Sequence, residues 1–133
     1  MYPIAMQRRE HNEQVLIFKW AGMQGNVYPE LELLFAIPNA SYGSSKRDII
    51  RGMYFKSEGR KSGVPDICLP VPKGKYHALY IELKASKGSK IRPTQKKWLE
   101  ALKKAGNYTK ICYGSEDAIK TIKDYLTQQF KLL

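Results

Sequence analysis

Gly63-Val64-Pro65-Asp66 and, starting fifteen residues beyond that aspartate, Ile81-Glu82-Leu83-Lys84 are the two segments on which the fold turns. Read with a period of two, a strand through Tyr80–Lys84 sends Ile81 and Leu83 to one face and Glu82 and Lys84 to the other. Asp66 opens the apolar run Ile67-Cys68-Leu69-Pro70-Val71, and the turn formers Pro72, Lys73, Gly74 and Lys75 reverse the chain before Tyr76 begins the next strand. Such a hairpin brings Asp66 back beside Glu82. Two acids and a lysine converging at a strand end can hold Mg²⁺, which prefers carboxylate oxygens and keeps several waters. The ion then activates a water and neutralises charge on a phosphate.

Working outward, residues 7–22 carry Val15, Leu16, Phe18 and Ala21 at helical spacing, with Gly22 and Gly25 as the stop. On that helix Glu10 and Gln14 share a side with Ile17 and Ala21. Leu31–Ile37 is expected to be a strand ended by Pro38-Asn39, and Ala40–Lys46 a Ser/Gly-rich mobile loop. Asp48–Phe55 fits either a short helix or an irregular segment. Beyond the hairpin, a Lys/Ser/Gly loop over 85–91 leads to Pro93, a good first-turn residue. That helix should run to about Ala105, with Trp98, Leu99 and Leu102 inward and Gly106 as its stop. Tyr108–Tyr113 alternates as a strand. Ser115 is expected to cap a last helix that buries Ala118, Ile119, Ile122 and Leu126, with Glu116 and Asp117 at its positive end. The order predicts an α/β fold, a mixed sheet with helices on both sides.

The 133 residues suffice for one domain with a real core. The longest apolar runs, such as Leu33–Ile37, are too short to span a bilayer, and the start Met1-Tyr2-Pro3-Ile4 lacks the pattern of a signal peptide. Cys68 and Cys112 fall in expected core strands, which implies buried reduced thiols and a cytoplasmic setting. Lys and Arg number 23 against 12 acids, a net charge of +11 that favours a polyanionic partner. From Lys84 to Lys110 nine basic residues are opposed only by Glu100. Lys56, Arg60, Lys61, Lys87, Lys90, Arg92, Lys96 and Lys97 are therefore candidates for contacts to a DNA backbone, which position a duplex without reading its bases. Tyr42 and Tyr54 are candidates for stacking on exposed bases, or for core packing.

The Asp66…Glu82-x-Lys84 pattern resembles that of the PD-(D/E)xK nuclease superfamily. The wider wording narrows it: Lys61-Ser62-Gly63-Val64-Pro65-Asp66-Ile67, Ile81–Lys84, Pro93-Thr94-Gln95 and Ala105-Gly106-Asn107-Tyr108 resemble the VRR-NUC (virus-type replication-repair nuclease) family over roughly residues 7–127. The resemblance implies one nuclease domain over residues 1–133 with a restriction-endonuclease-like αβββαβ core. It implies Mg²⁺ or Mn²⁺ held by Asp66, Glu82 and the backbone carbonyl of Leu83, with Glu10 as a third carboxylate from the first helix. Glu13, one turn from Glu10, can point the same way. Lys84 would orient or deprotonate the attacking water and offset charge on the phosphate. Gln95 would contact Lys84, the water or a phosphate, and Gln14 would support the site. A two-fold homodimer cutting branched DNA such as four-way junctions is the activity so implied, in the bacterial host cytoplasm if the chain is phage-encoded.

Blander explanations stand beside each of these. Asp66 alone could be a turn aspartate after proline, Glu82–Lys84 a surface pair, Glu10 an exposed first-turn acid and Gln95 a solvated helix residue. A basic surface also serves solubility. His11, His77, Cys68 and Cys112 make a zinc-like inventory without zinc-like spacing. No Gly-rich phosphate loop points to a nucleotide cofactor. The rival functions are a nuclease for linear ends, flaps or RNA, a non-catalytic nucleic-acid-binding module, and a restriction-enzyme fragment.

Overall fold

The computed structural model describes residues 4–38 and 44–130. Helix α1 (Ile4–Met23) leads through a 3₁₀ turn (Pro29–Leu33) to a short strand β1 (Phe35–Ala36) and helix α2 (Lys46–Ser57). Strands β2 (Ile67–Leu69) and β3 (Leu79–Lys84), helix α3 (Pro93–Lys104), strand β4 (Tyr108–Tyr113) and helix α4 (Ser115–Leu126) complete it. The sheet runs β1-β2-β3-β4. Its first two pairings are antiparallel and the last is parallel, so it is mixed. A parallel neighbour needs a crossover, and α3 supplies it.

Alternation along β3 divides the sheet into two faces. Leu79, Ile81 and Leu83 join Ile67 and Leu69 of β2, Cys112 of β4, Ile17 and Ala21 of α1, and Ala118, Ile122, Tyr125 and Leu126 of α4 in one apolar core. Each fully buried aliphatic side chain contributes about 1.5–3 kcal/mol, and truncating Ile81 to alanine should cost about 2–5 kcal/mol. Tyr80, Glu82 and Lys84 face the other side, where α3 lies. At the start of β3 the rings of Tyr76, Tyr108, Tyr125 and Phe130 pack edge-on or tilted, with centroids 5.0–5.9 Å apart. There Tyr125 Oη donates to the carbonyl of Val71 at 2.6 Å. That end of the sheet is sealed, which leaves the far end of β3 for a site.

Two expectations need correction. Leu31–Ile37 is not one strand. Pro29 opens a 3₁₀ turn, and only Phe35 and Ala36 pair with β2. Leu31 and Leu34 are buried three residues apart while Leu33 and Phe35 are 54% and 47% exposed, a period of three that suits 3₁₀ geometry and defeats alternation. Nor is Ser115 the cap of α4: Gly114 occupies that position, and the Ser115 N–H is itself capped by Glu13 Oε2 at 2.7 Å. The undecided segment around 48–55 is helical, as α2. Residues 40–43 of the expected loop, Tyr42 among them, lie outside the described residues, and Lys46 already begins α2.

Candidate active site

The hairpin register pairs Ile67 with Ile81, and one further step sets Asp66 opposite Glu82. The last backbone rung runs from the Asp66 N–H to the Ile81 carbonyl at 3.0 Å. Beyond it the Asp66 carboxylate takes over, with Oδ2 accepting the Leu83 N–H at 2.7 Å. Asp66 is thereby fixed at the strand end with its carboxyl within hydrogen-bonding reach of that of Glu82.

Glu82 is 1% exposed. Its Oε1 is buried with no hydrogen-bond partner among the described residues. Burial first, then hydrogen bonding to Asp66 and the nearby charges of Asp66 and Glu10, push its pKa up to about 10 against the opposing pull of Lys84. A buried carboxylate without a partner is costly, so this side chain holds a proton in the absence of a cation.

Lys84 is buried too, and its Nζ donates to Gln95 Oε1 at 3.1 Å. The same oxygen accepts the Arg92 N–H at 2.9 Å, closing the first turn of α3. Gln95 is thus a buried cap residue, not a solvated one. Glu10, half-buried on α1, is near enough for its charge to act on Glu82, whereas Glu13 is committed to α4. The hydrogen bond from Ser115 lowers the Glu13 pKa. Gln14 is half-buried on the same helix. Among the described residues no three His, Cys, Asp or Glu side chains close into a ready-made metal nest, so Glu10 flanks the Asp66–Glu82 pair without completing a triad.

The donor set fits a hard divalent cation. Asp66 and Glu82 offer carboxylate oxygens, the orphaned Oε1 needs a partner, and Leu83 adds a carbonyl on the strand between them. The thiols lie elsewhere. Cys68 pairs with Tyr80 and Cys112 with Leu83, which puts the two on opposite faces of the sheet. His77 sits against Gly106 at the other end of β3, and His11 is exposed on α1.

Gly63 has a role that the motif alone did not reveal. Its φ of +84° suits glycine, and a Cβ there would come within 2.8 Å of the Thr94 backbone and side chain. That contact joins the loop entering Asp66 to the first turn of α3. All eight basic candidates, Lys56, Arg60, Lys61, Lys87, Lys90, Arg92, Lys96 and Lys97, are exposed. Three belong to the segment before Asp66 and five to the segment after Lys84, so the Gly63–Thr94 contact draws the two basic groups together at the acidic pair. Arg60 lies 3.9 Å over the Phe55 ring, and Tyr54 is 65% exposed on α2.

The family model of the VRR-NUC domain matches residues 5–116. A solved structure described as a VRR_NUC domain protein superposes with a TM-score of 0.74 at 26% identity, covering 89% of this chain and 88% of that one. No curated protein matches. No helix among the described residues is long and apolar enough to cross a membrane. With the mixed sheet, the paired acids and the lysine in place, the chain belongs to the VRR-NUC family, nucleases of the PD-(D/E)xK type.

Proposed function

We propose that this nuclease is a divalent-metal-dependent DNA endonuclease that cuts branched duplexes, four-way junctions among them, as a homodimer in a cytoplasm. The observation that carries the metal dependence is the buried, partnerless Oε1 of Glu82 beside Asp66, at a strand end flanked by exposed lysines and arginines. Asp66, Glu82 and the Leu83 carbonyl would hold Mg²⁺ or Mn²⁺, with Glu10 adjoining. When bound, such an ion supplies an activated water and charge neutralisation at a phosphate.

The chain's own residues do the rest. Gln95 holds the Lys84 ammonium at the acidic pair, where it can orient the attacking water and stabilise charge on the phosphate oxygens. Lys56, Arg60 and Lys61 on one side, and Lys87, Lys90, Arg92, Lys96 and Lys97 on the other, bind backbone phosphates without reading sequence. Substrate choice then rests on DNA shape, and a branch point offers phosphates on more than one side of the site.

Labelled four-way junction, flap, single-stranded and linear duplex DNA, incubated with Mg²⁺, Mn²⁺ or EDTA, test this. The wild-type protein should cut the junction in either metal and not in EDTA. Asp66→Asn and Lys84→Met should bind it with cleavage reduced at least about a hundredfold, the scale of one lost electrostatic group. Cleavage in EDTA, or undiminished activity of Lys84→Met, refutes the metal–lysine assignment. Faster cutting of ends or single strands refutes the branched substrate.

A further inference from the structure

Strand β4 brings one more polar side chain to the face that carries Glu82 and Lys84. The parallel register sets Cys112 beside Leu83 and Tyr113 beside Lys84. Cys112 and Leu83 belong to the core, so alternation carries Tyr113 to the opposite face. Lys84 therefore stands between the acidic pair on its β2 side and Tyr113 on its β4 side. The tyrosine is fixed from its backbone. Its own N–H donates to Asp117 Oδ2 at 2.9 Å, and the N–H of Gly114 donates to the Lys84 carbonyl at 2.8 Å. Its side chain is half-buried and takes no part in the ring cluster at the start of β3. The Tyr113 hydroxyl makes no hydrogen bond to any other described residue, whereas that of Tyr125 is committed to Val71.

We infer that the Tyr113 hydroxyl is a second donor to the phosphate being cut, acting beside the Lys84 ammonium. This rests on the proposed cleavage at Asp66, Glu82 and Lys84, and extends that site to the edge strand. Tyrosine and lysine side chains are of similar length, and neighbouring strands lie about 4.8 Å apart. Two donors rising from one rung of the sheet can therefore reach two oxygens of a single phosphate, with the acids on the far side of the lysine. A neutral hydroxyl suits this place. It gives a hydrogen bond to an anion without adding a charge that would repel a cation at the acids.

Tyr113→Phe deletes only the oxygen. Its urea denaturation should match that of the wild type, because the hydroxyl holds nothing within the protein. Single-turnover cleavage of a four-way junction in Mg²⁺ should slow about ten- to hundredfold, as for a lost hydrogen bond to a charged group. Affinity for the same DNA in EDTA, which needs no cutting, should fall less, about two- to tenfold, since charge on the phosphate oxygens grows only as the bond breaks. Tyr125→Phe is the control with the opposite signature, a weaker fold and unchanged activity. A wild-type cleavage rate in Tyr113→Phe overturns the contact and leaves the nuclease reading standing. A loss of stability equal to that of Tyr125→Phe overturns it as well, because the hydroxyl would then serve the fold. If the wild type cuts no DNA in Mg²⁺ or Mn²⁺, the nuclease reading falls by itself. The affinity in EDTA then judges the phosphate contact alone, and an unchanged value sinks it.

Discussion

Replacing Glu82 with glutamine should stabilise the metal-free protein, increasingly so as the pH rises. In the folded chain the carboxyl has a pKa near 10, against 4.5 for an unperturbed glutamate. Between these limits the folded state keeps a proton that the unfolded chain gives up, so stability falls as pH increases, by at most about 1.4 kcal/mol per pH unit. From about pH 5 to about pH 8 the loss approaches 4 kcal/mol as an upper bound, a large part of the 5–15 kcal/mol that holds a typical domain together. Glutamine has no proton to lose and removes that slope. Urea denaturation in EDTA at several pH values measures it directly. Wild type should weaken between acid and alkaline buffer, and Glu82→Gln should stay nearly flat. Added Mg²⁺ or Mn²⁺ should restore the wild type, because a cation binding the ionised pair favours the folded state, and should do far less for the variant. Equal slopes for the two proteins in EDTA would refute the buried, protonated carboxyl, and with it the reason for expecting a cation there.

Three more outcomes follow from particular contacts. Gly63→Ala should cost about 2–4 kcal/mol in urea denaturation, from the left-handed backbone and the overlap with Thr94; a change below about 0.5 kcal/mol would mean that the two loops part freely. Tyr125→Phe, which strips the buried Val71 carbonyl of its donor, should cost about 1–2 kcal/mol with nuclease activity unchanged at low temperature. Glu13→Ala should cost about 1 kcal/mol, as for a lost helix cap. Because the Glu13 pKa is lowered, its contribution is present above the ordinary glutamate pKa and disappears as pH falls through the folded one, so wild type and variant should converge in acid.

The hairpin was legible because its signals are local. Period-two alternation along Tyr80–Lys84 and a turn between Pro72 and Lys75 are enough to bring Asp66 to Glu82, and Lys73 does pair with Tyr76 across that turn. Helices α1, α3 and α4 were legible from apolar spacing and from Pro93. The Leu31–Leu34 stretch misled because Leu31 and Leu33 fit a period of two while Leu31 and Leu34 fit a period of three, and burial of only Leu31 and Leu34 decides for the turn. Helix α2 resisted assignment for a related reason. Its apolar residues Ile49, Ile50, Met53 and Tyr54 are exposed, so hydrophobic pattern and burial disagree. Glu13 was weighed only as a rival to Glu10, since its partner Ser115 lies 102 residues away and no local motif announces the contact. The Gly63–Thr94 contact is likewise remote, 31 residues apart in the chain.

One oxygen atom, Oε1 of Gln95, serves both the start of α3 and the ammonium of Lys84. Loosening the first coil of that helix and setting the lysine adrift are consequently a single event. Whatever grips Arg92 or its neighbours from outside will be felt at the reacting end of β3 without any rearrangement of the sheet, and the exchange rate of the Arg92 amide proton should track how often the lysine is ready to act.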